Sequence, residues 1–108
     1  MRALIFALSL LTIPLTIHYN DDIPTRTPHS IKITDFKRKT TIKAVCAGDG
    51  TEINCFFKQD GVVLSKDTTP GSVCDMHVYY GGNSPLYFYV YNAGDIPTHI
   101  ECSFSGEL

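Results

Sequence analysis

The chain has 108 residues, with 9 Lys and Arg against 11 Asp and Glu and a formal net charge of −2. That length holds one domain, and the near-neutral balance excludes the strong basic field that would draw in nucleic acid or an anionic membrane. The chain has no tryptophan but has four cysteines, Cys46, Cys55, Cys74 and Cys102.

The first element reads as a targeting segment. Arg2 supplies a positive start, and Ala3 to Leu15 is an apolar run interrupted only by Ser9, Thr12 and Pro14. The run is shorter than the ~20 apolar residues a transmembrane helix needs, and Pro14 opposes a packed helix. Residues 1–17 are therefore expected to be a signal peptide, with Thr16 close to the cut and no stable membrane insertion after cleavage. No small-x-small pair follows the run, so an uncleaved anchor is the alternative. An even cysteine count behind such a segment implies an oxidising compartment, secreted or ER-lumenal, and two disulfides. Three pairings are open, and the count does not choose among them. The C-terminal Glu107-Leu108 is shared with ER-retention tails, at two positions of four.

Residues 18–30 are polar and carry Pro24 and Pro28, which suggests an extended linker or an irregular first strand. From residue 31 onward no helical period occurs. Period-two alternation is frequent, and turn signals come every eight to twelve residues, the pattern of an all-β sandwich or barrel. Ile31 and Ile33 share one face of a strand. Ile42, Ala44 and Cys46 share the next, opposite Thr41, Lys43 and Val45, and Gly48-Asp49-Gly50 ends it. The cluster Lys37-Arg38-Lys39 reads as a solvated strand end. Ile53, Cys55 and Phe57 share a further face. Asp60-Gly61 is a hairpin turn, since both residues tolerate positive φ, and Val62 to Leu64 return from it. Cys74, Met76, Val78 and Tyr80 alternate with Asp75, His77 and Tyr79. Leu86, Phe88 and Val90 point one way, and Tyr87, Tyr89 and Tyr91 the other. Ile100, Cys102 and Phe104 alternate with His99, Glu101 and Ser103. The inward sets are apolar, as in a sheet with one wet side.

These residues resemble an immunoglobulin-type sandwich over roughly 40–104. Cys46 lies in an alternating strand, Phe57-Lys58-Gln59-Asp60-Gly61 is similar to the family's strand C and turn, and Cys102 follows at a normal separation. The departures are the missing Trp, whose place Phe57 would fill, Ile100 where a tyrosine is expected, and an end six residues after Cys102, which leaves no full last strand. Residues Cys74 to Tyr79 and Gly82 to Pro85 are further similar to the small immunoglobulin-like accessory proteins of coronaviruses. The resemblance implies a disulfide-stapled immunoglobulin-like β-sandwich at 31–108, with Cys46–Cys102 bridging the sheets and Cys55–Cys74 as the second pair. It also implies a non-enzymatic viral accessory protein that engages a host immune or ER protein.

The stripe Tyr87, Tyr89 and Tyr91 is the candidate contact surface, because tyrosine gives large contact area at low entropic cost. Without a basic groove, stacking of single-stranded nucleic acid on it is not expected. A metal or other cofactor is not expected either: in the close pair Cys74-x-x-His77 a strand sends the two ligand types to opposite sides. No Asn-x-Ser/Thr sequon occurs, since Asn83-Ser84-Pro85 fails at its third position. The competing reading is a small cysteine-stapled secreted effector, ribonuclease-like, using His99 and Glu101 as an acid–base pair with His77 as a second base. No nucleophile-elbow, P-loop or zincin motif accompanies them, and the expectation is a binding protein. An unpaired last sheet edge would allow a homodimer.

Overall fold

The computed structural model describes residues 13–67 and 71–108. Their regular elements are eight strands: β1 (Pro14–Ile23), β2 (Pro28–Ile33), β3 (Thr40–Gly48), β4 (Ile53–Gln59), β5 (Val62–Asp67), β6 (Val73–Tyr80), β7 (Leu86–Asn92) and β8 (Thr98–Glu107). They form two four-stranded sheets, in the orders β1-β8-β3-β6 and β2-β7-β4-β5. Every pairing is antiparallel.

Alternation builds the core. Ile42, Ala44 and Cys46 from β3, Ile53, Cys55 and Phe57 from β4, and Cys74, Met76, Val78 and Tyr80 from β6 are buried. So are Leu86, Phe88 and Val90 from β7 and Ile100, Cys102 and Phe104 from β8. Three rings join the sheets: Phe57 meets Phe88 edge-on at 5.0 Å, and Phe88 meets Phe104 in the same way at 5.0 Å. Such edge-to-face pairs add specific geometry to the area they bury. The Asp60-Gly61 turn has φ values of 53° and 74°, the double positive that a two-residue hairpin requires.

The fold is the expected all-β, disulfide-stapled sandwich, but its wiring differs from that of an immunoglobulin domain. The strand order sends the chain back and forth between the sheets as in a jelly roll. It does not separate four strands from three in the immunoglobulin manner. Cys46 of β3 faces Cys102 of the adjacent β8, so that bridge lies within one sheet. The bridge between sheets is Cys55–Cys74, from β4 to β6. No last strand is missing: β8 is ten residues long and lies between β1 and β3. The edge that was to drive dimerisation is therefore fully paired.

The N-terminal boundary also shifts. Residues 18–23 are not a linker but the second half of β1, which pairs with β8 from Pro14↔Glu107 to Ile23↔Thr98. Leu15, Ile17 and Tyr19 face the core between exposed Thr16, His18 and Asn20. The period of two thus runs through the boundary drawn at 17, and its polar half marks an edge strand with a wet side. Residues 28–30 belong to β2. Residues 1–12 of the expected signal peptide lie outside the described residues.

Arg38 is not freely solvated. Its guanidinium donates to the carbonyls of Gly82 (3.0 Å) and Ser84 (2.8 Å) and lies 4.2 Å from the Tyr80 ring centroid. It pins the β6–β7 loop to the body.

Candidate surface on the outer face of the second sheet

The outer face of β2-β7-β4-β5 carries the tyrosine stripe on a central strand. Pairing register extends each tyrosine into a row: Lys32–Tyr87–Lys58, Ser30–Tyr89–Phe56–Lys66 and Pro28–Tyr91–Asn54. Tyr87, Tyr89 and Tyr91 are half-buried, while their neighbours Leu86, Phe88 and Val90 are fully buried. The tyrosines therefore point outward. Tyr89 stacks on Phe56 with centroids 4.8 Å apart and planes 9° apart, and Tyr87 lies 6.4 Å from Tyr89 at 47°. Lys58 Nζ sits 6.0 Å from the Tyr89 ring, at the outer limit of a cation–π contact.

Phe56 was the member sequence reasoning overlooked. Its signal was present, because it alternates with inward Cys55 and Phe57 and so must face the tyrosine side. The three lysines of the face were equally scattered in sequence. Only the pairing of β2, β4 and β5 with β7 gathers them. A bulge between Phe57 and Lys58 in the β4–β5 ladder turns the last part of the face. Beyond it Val62, Val63 and Leu64 are 57%, 47% and 45% exposed on the edge strand β5.

The outer face of the other sheet has a different chemistry. Asp22, Asp75, Glu101 and Glu107 lie there with His18, His77, His99 and Lys43. His99 Nδ1 is 2.8 Å from Asp22 Oδ1, and that hydrogen bond raises the imidazole's pKa above its ordinary value. Asp49 accepts from the Thr98 hydroxyl at 2.6 Å and from the His99 backbone N–H at 3.2 Å, which holds its carboxyl below the usual range. His99 and Glu101 share this face as alternation requires, but the His99 imidazole bonds Asp22. A shallow open depression beside them is lined by His18, Asn20, Val45, Glu101 and Ser103. Cys74 and His77 fall on opposite sides of β6, and the Cys74 sulfur is committed to Cys55. Among the described residues no group of three or more His, Cys, Asp or Glu could hold a metal ion. No helix among them is long and apolar enough to cross a membrane.

The two lateral openings of the sandwich also differ. Between β1 and β2, the Tyr19 hydroxyl meets His29 Nε2 and donates to Asp21 at 3.2 Å. The Asp22 backbone N–H and then the Tyr19 hydroxyl hold the Asp21 carboxyl below its usual range, while burial leads the rise of the Tyr19 phenol. Between β5 and β6, Leu64, His77 and Tyr79 line an open cleft.

No known protein family matches the sequence, and no curated protein matches it. Solved structures do match the fold. The Yersinia pseudotuberculosis-derived mitogen aligns with a TM-score of 0.68 at 10% identity, over 87% of this chain and 87% of that one. Aeromonas hydrophila PliG, a periplasmic inhibitor of g-type lysozyme, aligns with a TM-score of 0.66 at 8% identity, over 83% and 84%. A disulfide-linked pilus protein of Bacillus endospore appendages aligns with a TM-score of 0.55 at 12% identity, over 90% of each chain. At these identities the likeness is one of fold.

Proposed function

We propose that this chain is a non-catalytic protein-binding module of an oxidising compartment, secreted or ER-lumenal, and that it binds through the outer face of β2-β7-β4-β5. One observation carries the reading: four aromatic rings, Tyr87, Tyr89, Tyr91 and Phe56, stand half-exposed on adjacent strands of one rigid sheet. Aromatic side chains enriched in this way characterise the buried centres of interfaces. All four cysteines are paired, which suits an oxidising environment. The reading rests on this surface and not on the similarity to viral accessory proteins. A host partner remains one case of it, carried by the sequence resemblance at Cys74–Tyr79 and Gly82–Pro85.

The test is a triple Tyr87→Ser, Tyr89→Ser, Tyr91→Ser variant. It should keep the wild-type circular dichroism and both disulfides, and lose capture of the partner that the wild-type protein retains. A folded triple variant with undiminished capture would refute the reading. Lys43→Ser on the opposite face serves as the control.

Self-association is a second reading, favoured by β5. Among the described residues that strand pairs with β4 alone, and it exposes Val62, Val63 and Leu64 in succession. An apolar free edge is a template for another strand. The β1–β2 side, guarded by Asp21, Asp22 and His29, is a poor mate for it. A two-fold β5-to-β5 contact would be closed and isologous.

A further inference from the structure

Resting on the reading of the aromatic face as the binding surface, the geometry points to an acidic segment of a partner protein as its ligand. The outer face of β2-β7-β4-β5 holds Lys32, Lys58 and Lys66, and its strands place no Asp or Glu on that side. None of these three lysines has an ion-pair partner among the described residues, whereas Lys43 on the other sheet lies 4.0 Å from Asp75. Of the acids at the ends of these strands, Glu52 precedes β4 on the same side, and two others are engaged by hydrogen bonds. Asp60 accepts from the Ser84 hydroxyl at 2.8 Å, and Asp67 accepts from the Asp75 backbone N–H at 3.0 Å. The strands of one sheet thus present three lysines and no carboxylate outward, and the other sheet presents a carboxylate-bearing face.

The spacing suits an extended peptide. Lys32 and Lys58 flank Tyr87 from the two adjacent strands, about 10 Å apart at two strand spacings. Side chains on one face of an extended strand recur every ~7 Å. Carboxylates of such a segment can therefore reach the lysines while its apolar side chains lie on Tyr89 and Phe56. Pro28, opposite Tyr91, and Val63, opposite Lys58, extend the apolar part of the face, which favours a peptide over a ligand made only of anionic groups. A net charge of −2, with the carboxylates on the far sheet, gives no overall field for a polyphosphate backbone.

The experiment uses the oxidised full chain, isotope-labelled for NMR, and a synthetic decapeptide of glutamates with one central phenylalanine. The peptide should shift the amide signals of β4 and β7 and leave those of β3 and β8 in place. Its affinity should fall about tenfold between about 0.05 and 0.3 M salt, as screened charge contacts do. The triple variant Lys32→Gln, Lys58→Gln, Lys66→Gln should weaken it by at least about tenfold, and charge reversal to Glu should abolish it, while Lys43→Gln should not matter. Peptide affinity unchanged by the Gln and Glu variants would overturn the proposal, as would shifts confined to the other sheet. Binding of only a sulfated oligosaccharide or of oligothymidylate in place of the peptide would overturn it too. If the tyrosine variant loses partner capture while the lysine variants keep it, the surface stands and the acidic ligand falls. If the tyrosine variant keeps capture, the surface itself falls.

Discussion

Removing the two disulfides separately tests what each contributes, because their loops differ while their burial does not. Cys46 and Cys102 are 0% and 3% exposed, and Cys55 and Cys74 are each 1% exposed, so cavity effects of Cys→Ala are alike for the two pairs. The sequence separations are 56 and 19. Loop-closure entropy then assigns about 4 kcal/mol to Cys46–Cys102 and about 3 kcal/mol to Cys55–Cys74. The inner bridge is nested within the outer loop and shortens it, which lowers the first figure by only a few tenths, because the dependence is logarithmic. Either loss is a large part of the 5–15 kcal/mol that holds a small domain together. The assay is urea unfolding of the Cys46→Ala/Cys102→Ala and Cys55→Ala/Cys74→Ala variants, followed by far-UV circular dichroism. The outer-bridge variant should have the lower midpoint. A clearly greater loss on removing Cys55–Cys74 would refute the entropic argument. It would show that tying one sheet to the other outweighs closing the longer loop between two strands already hydrogen-bonded together.

Four further outcomes follow from the same geometry. Asn92 is fully buried, with Nδ2 donating to the carbonyls of Ile23, Pro24 and Ile96 and Oδ1 accepting from the Gly94 N–H, so Asn92→Ala should cost about 2–3 kcal/mol in urea unfolding by leaving buried groups unpaired. A Cβ at Gly106 would come within 2.7 Å of the buried Phe36 ring, so Gly106→Ala should lower the thermal midpoint through about 1–3 kcal/mol of overpacking. The His99 imidazole, raised by Asp22, contributes stability that is complete below its ordinary value of 6.5 and is lost as pH rises through the higher folded value. His99→Asn should flatten the unfolding curve there. On the acid limb Asp49, held low, loses its contribution as pH falls through its folded value. Leu64→Lys, at an exposed edge position, should abolish any concentration-dependent dimer seen in sedimentation, and a dimer that survives it would place the contact away from β5.

The period-two alternation of this chain determined, by itself, which side chains are inside. Leu86, Phe88 and Val90 had to oppose Tyr87, Tyr89 and Tyr91 whatever the strand paired with, because successive side chains leave a strand on opposite sides. The Asp60-Gly61 turn was equally local, as its two positive φ angles are a property of those residues. The same alternation continued through Leu15, Ile17 and Tyr19, where an apolar N-terminal run and a polar 18–30 stretch masked an edge strand. Strand order was not local. Cys46 stands opposite Cys74 on one side and Cys102 on the other, so three cysteines share one row of one sheet, and alternation alone cannot say which pair forms or which bridge crosses the sandwich. Nor could it bring Lys32, Lys58 and Lys66 around Tyr87 and Tyr89. Those residues come from four strands, and their neighbours are chosen by long-range pairing and by burial of both inner faces at once, terms that exist only when the whole chain has folded.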